Sequence, residues 1–388
     1  ESIEVDDARS MPGVVAVYTA ADLGLDDRPV TMGFYPSEMG RSFLARDRVR
    51  FVGEPIAVVV AESPYLAADA AEMIWADIEP LPPVLDLADA LAGDTVLFPD
   101  LGHNVAFRNA VEDPIDFSGY EVVVTEDVAN SRVAAVSIEP RVVAASIVDG
   151  RLTCWASSQG AHSFRQAVAE ILGLEPEDMR VYVKDIGGGF GAKGVPSEEE
   201  VMVVYLARLL ERPVRWTETR TENLTGYVHG RAQDQKVTIA GTRDGDIQAY
   251  RLELIQDSGA YPKYGAFLPE FTRQMASGVY DIGRVELEFA SVVTTTAPIC
   301  AYRGAGRPEA TAAIERAVDL FAAEIGMDPA EVRRRNLPSP DAFPFTNGTG
   351  TVYDSGEYER ALDVALEAAD YAGLRAEQQR RRDAGDVR

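Results

Sequence analysis

The first ninety positions alternate between short extended apolar runs and one helical stretch. Residues 14–18 predict a short strand, and the apolar run 55–61 (PIAVVVA) predicts a buried one. Residues 65–76, rich in Ala and Glu, predict a helix. Pro80, Pro82 and Pro83 follow it, and proline neither continues a helix nor donates to a sheet. Periodicity is sparse over 86–118. Strand-like alternation resumes at 120–127 and 133–148, and Gly150 marks a hairpin into 152–156. Residues 163–172 place Phe164, Val168, Ile171 and Leu172 on one helical face. The apolar run 181–186 predicts a strand, followed by a glycine-rich loop and a helix over 198–210. Residues 214–217, 235–261 and 285–296 read as strands, with a turn signal at Asp244-Gly245. Pro308 opens a helix over 309–325, a favoured place for proline. Residues 337–350 are turn-rich, 358–371 predict a last amphipathic helix, and the basic end 380–388 reads as frayed. The pattern divides into an α/β unit at 1–90, a connector at 91–118 and a larger unit at 119–388.

Composition narrows the function. The 388 residues suit more than one domain, and 46% hydrophobic content is that of an ordinary globular protein. A formal net charge of −26 argues against nucleic acid or an anionic membrane as partner, because phosphate contacts need clustered Lys and Arg. No apolar run reaches the ~20 residues that span a bilayer. The two cysteines, Cys154 and Cys300, form no CxxC pair, so the chain encodes neither an iron–sulfur cluster nor a structural zinc site. Reduced thiols are the expectation.

Two glycine-rich loops carry the chemistry. The first is Gly187-Gly188-Gly189-Phe190-Gly191-Ala192-Lys193 and the second Ala301-Tyr302-Arg303-Gly304-Ala305-Gly306-Arg307-Pro308-Glu309. Glycines let backbone N–H groups approach a ligand, and a helix N-terminus adds partial positive charge. Two such loops before predicted helices point to a large anionic cofactor held from both sides. A Walker A loop is excluded, because Ala192 replaces its second glycine and Gly194 follows the lysine. Gly187, Gly189 and Ala192 satisfy a dinucleotide fingerprint, but the neighbouring strands read as antiparallel rather than as repeated βαβ units. A plain turn is the alternative for the first loop, and a surface turn with solvated arginines for the second. Gln159, in Ser157-Ser158-Gln159-Gly160, carries a neutral amide able to donate to a metal-oxo oxygen without ligating the metal. His162 has no second ligand at helical spacing, and His103 and His229 lie far off, so a protein-ligated metal is not expected.

Taken in order, 52–87 (VGEPIAVVVAESPYLAADAAEMIWADIEPLPPVLDL), Ile138-Glu139-Pro140-Arg141, SSQGAH, GGGFGAK, AYRGAGRPEA and DAFPFTNGTGTVYDSGEYERAL form one constellation. In it the chain resembles the large, molybdopterin-binding subunit of the molybdenum hydroxylases, the family of xanthine oxidase, aldehyde oxidoreductase and aerobic carbon monoxide dehydrogenase. The resemblance implies an α+β fold: an α/β hammerhead domain, then the first part of a molybdopterin-binding domain with mixed sheets and helices.

It also implies roles. Gln159, beside Gly160, matches the glutamine that hydrogen-bonds an oxygen on molybdenum. Gly188, Gly189, Phe190 and Gly191 match the loop beside the molybdenum–dithiolene unit, and Arg303 and Gly304 match the arginine segment on the cofactor. Gly304 stands where carbon monoxide dehydrogenases carry a copper-binding cysteine. Gly194 and Ala305 fall in the substrate pocket, at positions where xanthine dehydrogenases carry a purine-binding glutamate and an aromatic. The implied activity is oxidation of an aldehyde or N-heterocycle with water-derived oxygen; carbon monoxide oxidation and a non-catalytic assembly role are the alternatives. The implied cofactor is molybdopterin cytosine dinucleotide with Mo, with 2Fe-2S and FAD on partners. Those partners are an iron–sulfur small subunit and an FAD-binding medium subunit, in a cytoplasmic dimer of heterotrimers. The family's subunit continues into a second cofactor domain that supplies a glutamate base, so the sequence reads as the N-terminal half and, alone, as inactive.

Overall fold

The computed structural model describes residues 2–386. The N-terminal unit comprises β1 (Ser2–Glu4), α1 (Asp6–Ser10), β2 (Val14–Thr19), β3 (Ala57–Ala61), α2 (Pro64–Glu72) and β4 (Trp75–Asp77). Ser63 caps α2 by accepting from the Leu66 N–H, with Pro64 at the first helical position. The helix stops at Glu72, short of the predicted residue 76. Residues 75–77 instead pair antiparallel with β1, while Ile74 packs on the small core of Val5, Ala8, Val17 and Ala70. Pairing of two edges outweighs helix propensity there.

The region of sparse periodicity holds α3 (Leu87–Ala92) and β5 (Val105–Asn109). Both are short, and α3 is set by Asp86, whose carboxylate accepts from two first-turn N–H groups. There follow β6 (Val122–Asn130), β7 (Val133–Ala134), β8 (Val142–Val148), β9 (Arg151–Ala156), α4 (Ala161–Ile171), β10 (Met179–Tyr182), α5 (Glu198–Leu209) and β11 (Val214–Thr217). The order β10-β9-β8-β11 forms one sheet, parallel only between β9 and β10. Phe164 and Val168 of α4 and Val201 and Val204 of α5 cover it. The β8–β9 hairpin turns on Asp149 and Gly150, both at positive φ, as a tight right-twisting hairpin requires.

Two predicted strands break. The run 133–148 leaves the ladder after Ala134, turns at Val136 (φ 41°) and re-enters at Val142. The run 181–186 is strand only through Tyr182, which pairs with Trp155, one residue before its parallel partner β9 ends. Both departures deliver chain to one place, where Glu139 meets the first glycine loop.

The remaining elements are α6 (Arg220–Thr225), β12 (His229–Gly230), β13 (Gln233–Gly241), β14 (Ile247–Asp257), α7 (Leu268–Gln274), β15 (Arg284–Val292) and α8 (Arg307–Ile325). A five-stranded sheet of order β5-β15-β14-β13-β6 is packed by Ile314, Val318 and Phe321 of α8. Its β14–β15 pair is parallel, the remaining pairs antiparallel. The chain closes with α9 (Pro329–Arg335), β16 (Phe345–Thr346), β17 (Val352–Tyr353), α10 (Tyr358–Ala368) and α11 (Tyr371–Asp383). The single predicted last helix is thus two, broken at Asp370 (φ 48°), whose carboxylate accepts from the Gly373 N–H. The basic end is helical through Asp383, and residues 387–388 lie outside the described chain. The architecture is α+β with mixed sheets. Among the described residues no helix is long and apolar enough to cross a membrane.

Candidate functional site

The first glycine loop is set between three other segments. A Cβ on Gly189 would lie 2.5 Å from Gln159 Oε1, and one on Gly191, at φ 100°, would lie 2.5 Å from the Ala301 carbonyl oxygen. Glycine is required there both for conformation and for close approach. Glu139 holds the base of the loop. Its Oε2 accepts from Ser157 Oγ at 2.6 Å, Gly187 N at 2.9 Å and Lys193 Nζ at 3.0 Å. Lys193 Nζ also donates to the Glu139 carbonyl at 2.8 Å and to Ser157 Oγ at 2.7 Å. Lys193 is therefore buried and turned into the protein, not toward a ligand. Burial pushes the Glu139 carboxyl up, but the bonds from Ser157, Lys193 and Gly187 outweigh it and hold it below its usual value. Beneath this, buried Arg141 clasps Glu218 at 2.6 and 2.8 Å and Glu199 at 2.7 Å.

The second loop touches the first through Arg303 N, which donates to the Phe190 carbonyl at 2.9 Å. Arg231 braces it from behind. One guanidinium nitrogen donates to the Tyr302 carbonyl and to Glu309, both at 3.2 Å, and the other to the Arg303 carbonyl at 2.6 Å. Glu309 is fully buried. Gly306, in the left-handed region, starts α8 without any side-chain cap. The Arg303 side chain is exposed and bonded to no described residue.

The two helix N-termini differ from what the loops suggested. The first loop does not open directly into a helix: a short turn and 195–197 intervene before α5. That helix is closed by a capping box between Ser197 and Glu200, and Glu198, Glu199 and Glu200 occupy its first turn. Its positive end is thus filled by the chain's own carboxylates. At the start of α8, Arg307 N donates to the Gly304 carbonyl at 3.4 Å and Pro308 has no N–H, so in the first turn only the amide of buried Glu309 has no partner among the described residues.

Gln159 ties the site together. Its Oε1 accepts from Gly191 N at 2.8 Å, and its own N–H donates to the Lys193 carbonyl at 3.0 Å. Its Nε2 has no partner among the described residues and is free to donate outward. Gly160, the N-cap of α4, and Gly188, against Ser137, lie beside it. Phe190, at φ 54°, is 43% exposed at the junction. Gly304 is exposed at φ 96°, with Pro308 Cγ 2.5 Å from where a Cβ would stand. Gly194 has open space in front of it. Ala305 does not share that space: it packs against Ala232, Leu268 and Ile299.

Glu139, Lys193, Arg231 and Glu309 were not assigned roles from sequence. The Ile138–Arg141 motif and the lysine after the glycines were visible signals for the first pair. Nothing local marked Arg231. Among the described residues no group of three or more His, Cys, Asp or Glu is arranged to hold a metal. Cys154 and Cys300 are free and buried in separate clusters.

Residues 97–337 match the molybdopterin cofactor-binding domain, and residues 1–82 match the aldehyde oxidase and xanthine dehydrogenase a/b hammerhead domain. The chain is 34% identical to the 6-hydroxypseudooxynicotine dehydrogenase complex subunit gamma of Paenarthrobacter nicotinovorans, over 98% of this chain and 50% of that one. It is 35% identical to the carbon monoxide dehydrogenase large chain of Hydrogenophaga pseudoflava, again over 98% and 50%. Its fold superposes on quinoline 2-oxidoreductase from Pseudomonas putida 86 with a TM-score of 0.93 at 34% identity, covering 99% of this chain and 50% of that one. The chain spans about half the length of these relatives. Sequence and fold agree in these matches, and the chain belongs to the molybdopterin-binding large-subunit family of the molybdenum hydroxylases.

Proposed function

We propose that this chain is the molybdopterin-binding part of a molybdenum hydroxylase that oxidises an aldehyde or N-heterocycle with water-derived oxygen. The observation that carries the reading is the junction of three segments: Gln159 on Gly191, and Arg303 on Phe190. The donors there fit the group. The Gln159 amide and the Arg303 guanidinium are both exposed and have no side-chain partner for their outward donors among the described residues, and a guanidinium suits an anionic cofactor. When bound, the molybdenum cofactor supplies the two-electron redox chemistry.

The protein's part is positional. Gln159 Nε2 would donate to an oxygen of the bound cofactor and orient it, and Arg303 would hold the cofactor's anionic groups. Neither carboxylate near the junction serves as base. Glu139 is held ionised by Lys193 and its other donors, and Glu309 is sealed behind Arg231. The proposal therefore places the base on a glutamate outside residues 2–386. The cofactor is taken as the cytosine dinucleotide form. Two cysteines do not ligate an iron–sulfur cluster, which takes four, so electrons leave through a 2Fe-2S small subunit and an FAD medium subunit. The complex is proposed to be a cytoplasmic dimer of heterotrimers. Names of relatives such as quinoline 2-oxidoreductase support an N-heterocycle over an aldehyde. Carbon monoxide oxidation is disfavoured by Gly304, where a copper-binding cysteine would need positive φ and would strike Pro308.

The test is the molybdenum and cytidine nucleotide content of the natively purified complex. Equimolar amounts with this chain support the proposal. Absence of both from a complex that contains the partner domain would replace it with the assembly-subunit reading.

A further inference from the structure

A cavity of about 240 Å³ opens beside Gly191, Gly194 and Ala301. Val30, Met39, Val195 and Pro262 give it apolar walls. Its other end is charged. Arg28, Arg41 and Lys263 line it together with a single carboxylate, Glu198. Glu198 is saturated: it accepts from Lys263 at 2.8 and 2.9 Å, from Arg28 at 3.1 Å and from Arg41 at 2.9 Å. The next carboxylates are Glu54, 4.0 Å from Arg41 Nε, and Glu199, whose charge also acts on Arg41 but which is bonded to Arg141 at 2.7 Å.

The cationic donors are not all used by hydrogen bonds among the described residues. Arg41 is 6% exposed, and its Nε donates to no group among the described residues. Arg28 uses only Nη1, on Glu198 and the Pro196 carbonyl. Buried donors left unused are costly, and guanidinium forks match carboxylates in shape and charge. Desolvation pushes the Lys263 amine below its usual value even with Glu198 in contact, and the neighbouring Arg41 and Arg28 add to it.

Apolar walls with one cationic end describe a site for a small organic acid. We propose that this cavity selects a substrate bearing a carboxylate, with Arg28 and Lys263 engaging the carboxylate while the apolar body lies toward the first glycine loop. This rests on the hydroxylase reading for what happens to the bound molecule. It assigns two positions far from both loops in sequence, one of them in the N-terminal part of the chain, as specificity determinants.

The experiment titrates benzoate, and benzamide as its neutral counterpart, into the natively purified protein by isothermal titration calorimetry. Benzoate should bind about tenfold tighter than benzamide, the discrimination expected of one charge-assisted pair. Lys263→Met and Arg28→Met should each abolish that preference, and Lys263→Arg should keep it, with melting curves confirming that each variant is folded. Equal affinity for the two probes, or an undiminished preference in both Met variants, overturns the proposal. Binding is read without molybdenum. A protein that prefers benzoate but never carries molybdenum sinks the hydroxylase reading alone, and a molybdenum-loaded protein indifferent to charge sinks this proposal alone.

Discussion

Two helices follow glycine-rich loops in this chain, and their first turns are closed differently. The α5 helix begins Glu198-Glu199-Glu200 behind a Ser197 capping box, so its amides and its positive end are consumed inside the protein. The α8 helix begins Arg307-Pro308-Glu309 behind an uncapped Gly306; Arg307 N donates to the Gly304 carbonyl and Pro308 has no N–H, so in that turn only the Glu309 amide has no partner among the described residues. A glycine-rich loop before a helix is therefore not in itself an anion site; the first-turn residues decide. The first loop has another use. Its glycines let Gln159 and Ala301 approach the backbone, which a chain with side chains there would forbid.

Substitutions on either side sharpen this contrast. The largest effect is expected from Arg231→Met, which strands the fully buried Glu309 beneath the second loop. Chemical denaturation should show a loss of about 3 kcal/mol, and the double variant with Glu309→Gln should recover most of it, because breaking a buried pair costs more than removing it. Wild-type stability in Arg231→Met would remove the brace from the account. Gly191→Ala comes next, at about 2 kcal/mol, since alanine must take φ 100° against the Ala301 carbonyl. It should also loosen the contact between the loops, seen as faster exchange of the Arg303 amide.

Glu139→Gln should cost about 1 kcal/mol and act on the first loop alone. Its sharper signature is pH dependence. The Glu139 carboxyl lies below its usual value in the fold, so its contribution is present above the unfolded value and is lost as pH falls through the folded one. Melting temperature should fall less steeply on the acid side in Glu139→Gln than in the parent. Parallel curves would contradict the assignment. The smallest structural effect, within about 0.5 kcal/mol, is expected for Arg303→Ala and Gln159→Ala, whose side chains are exposed. They should separate in the assembled complex. Arg303→Ala lowers molybdenum content, while Gln159→Ala keeps it and slows turnover; full loading in the first or full activity in the second would break its assigned role.

The periodic elements were legible because their burial is one-sided. Phe164 and Val168 on α4 face the core as their spacing implied, and the Asp149-Gly150 and Asp244-Gly245 turns fall where their chemistry placed them. The 86–118 stretch was not legible, because β5 is an edge strand held mainly by β15 rather than by its own pattern. The helix predicted through 76 failed for a related reason: residues 75–77 are claimed by a partner at the opposite end of the unit. At the site, Gln159, Phe190 and Arg303 stood out as unusual residues in glycine-rich company. Ala305 did not go where its neighbours suggested, because its side chain is taken up by Leu268 and Ile299.

By itself the sequence determined the local conformations: which residues tolerate positive φ, where helices start and stop, and which faces are apolar. These are properties of a residue and its near neighbours. It also determined the family, through motifs whose order survives in one dimension. Only the tertiary structure decided how charges are spent. Lys193 is turned inward by Glu139, α5 is filled by its own acids, and Arg231 reaches across 78 residues of chain to Glu309. Arg28, Arg41 and Lys263 collect around Glu198 from distant segments. Electrostatic partners are chosen by distance in space and by burial, and neither quantity is written along the chain.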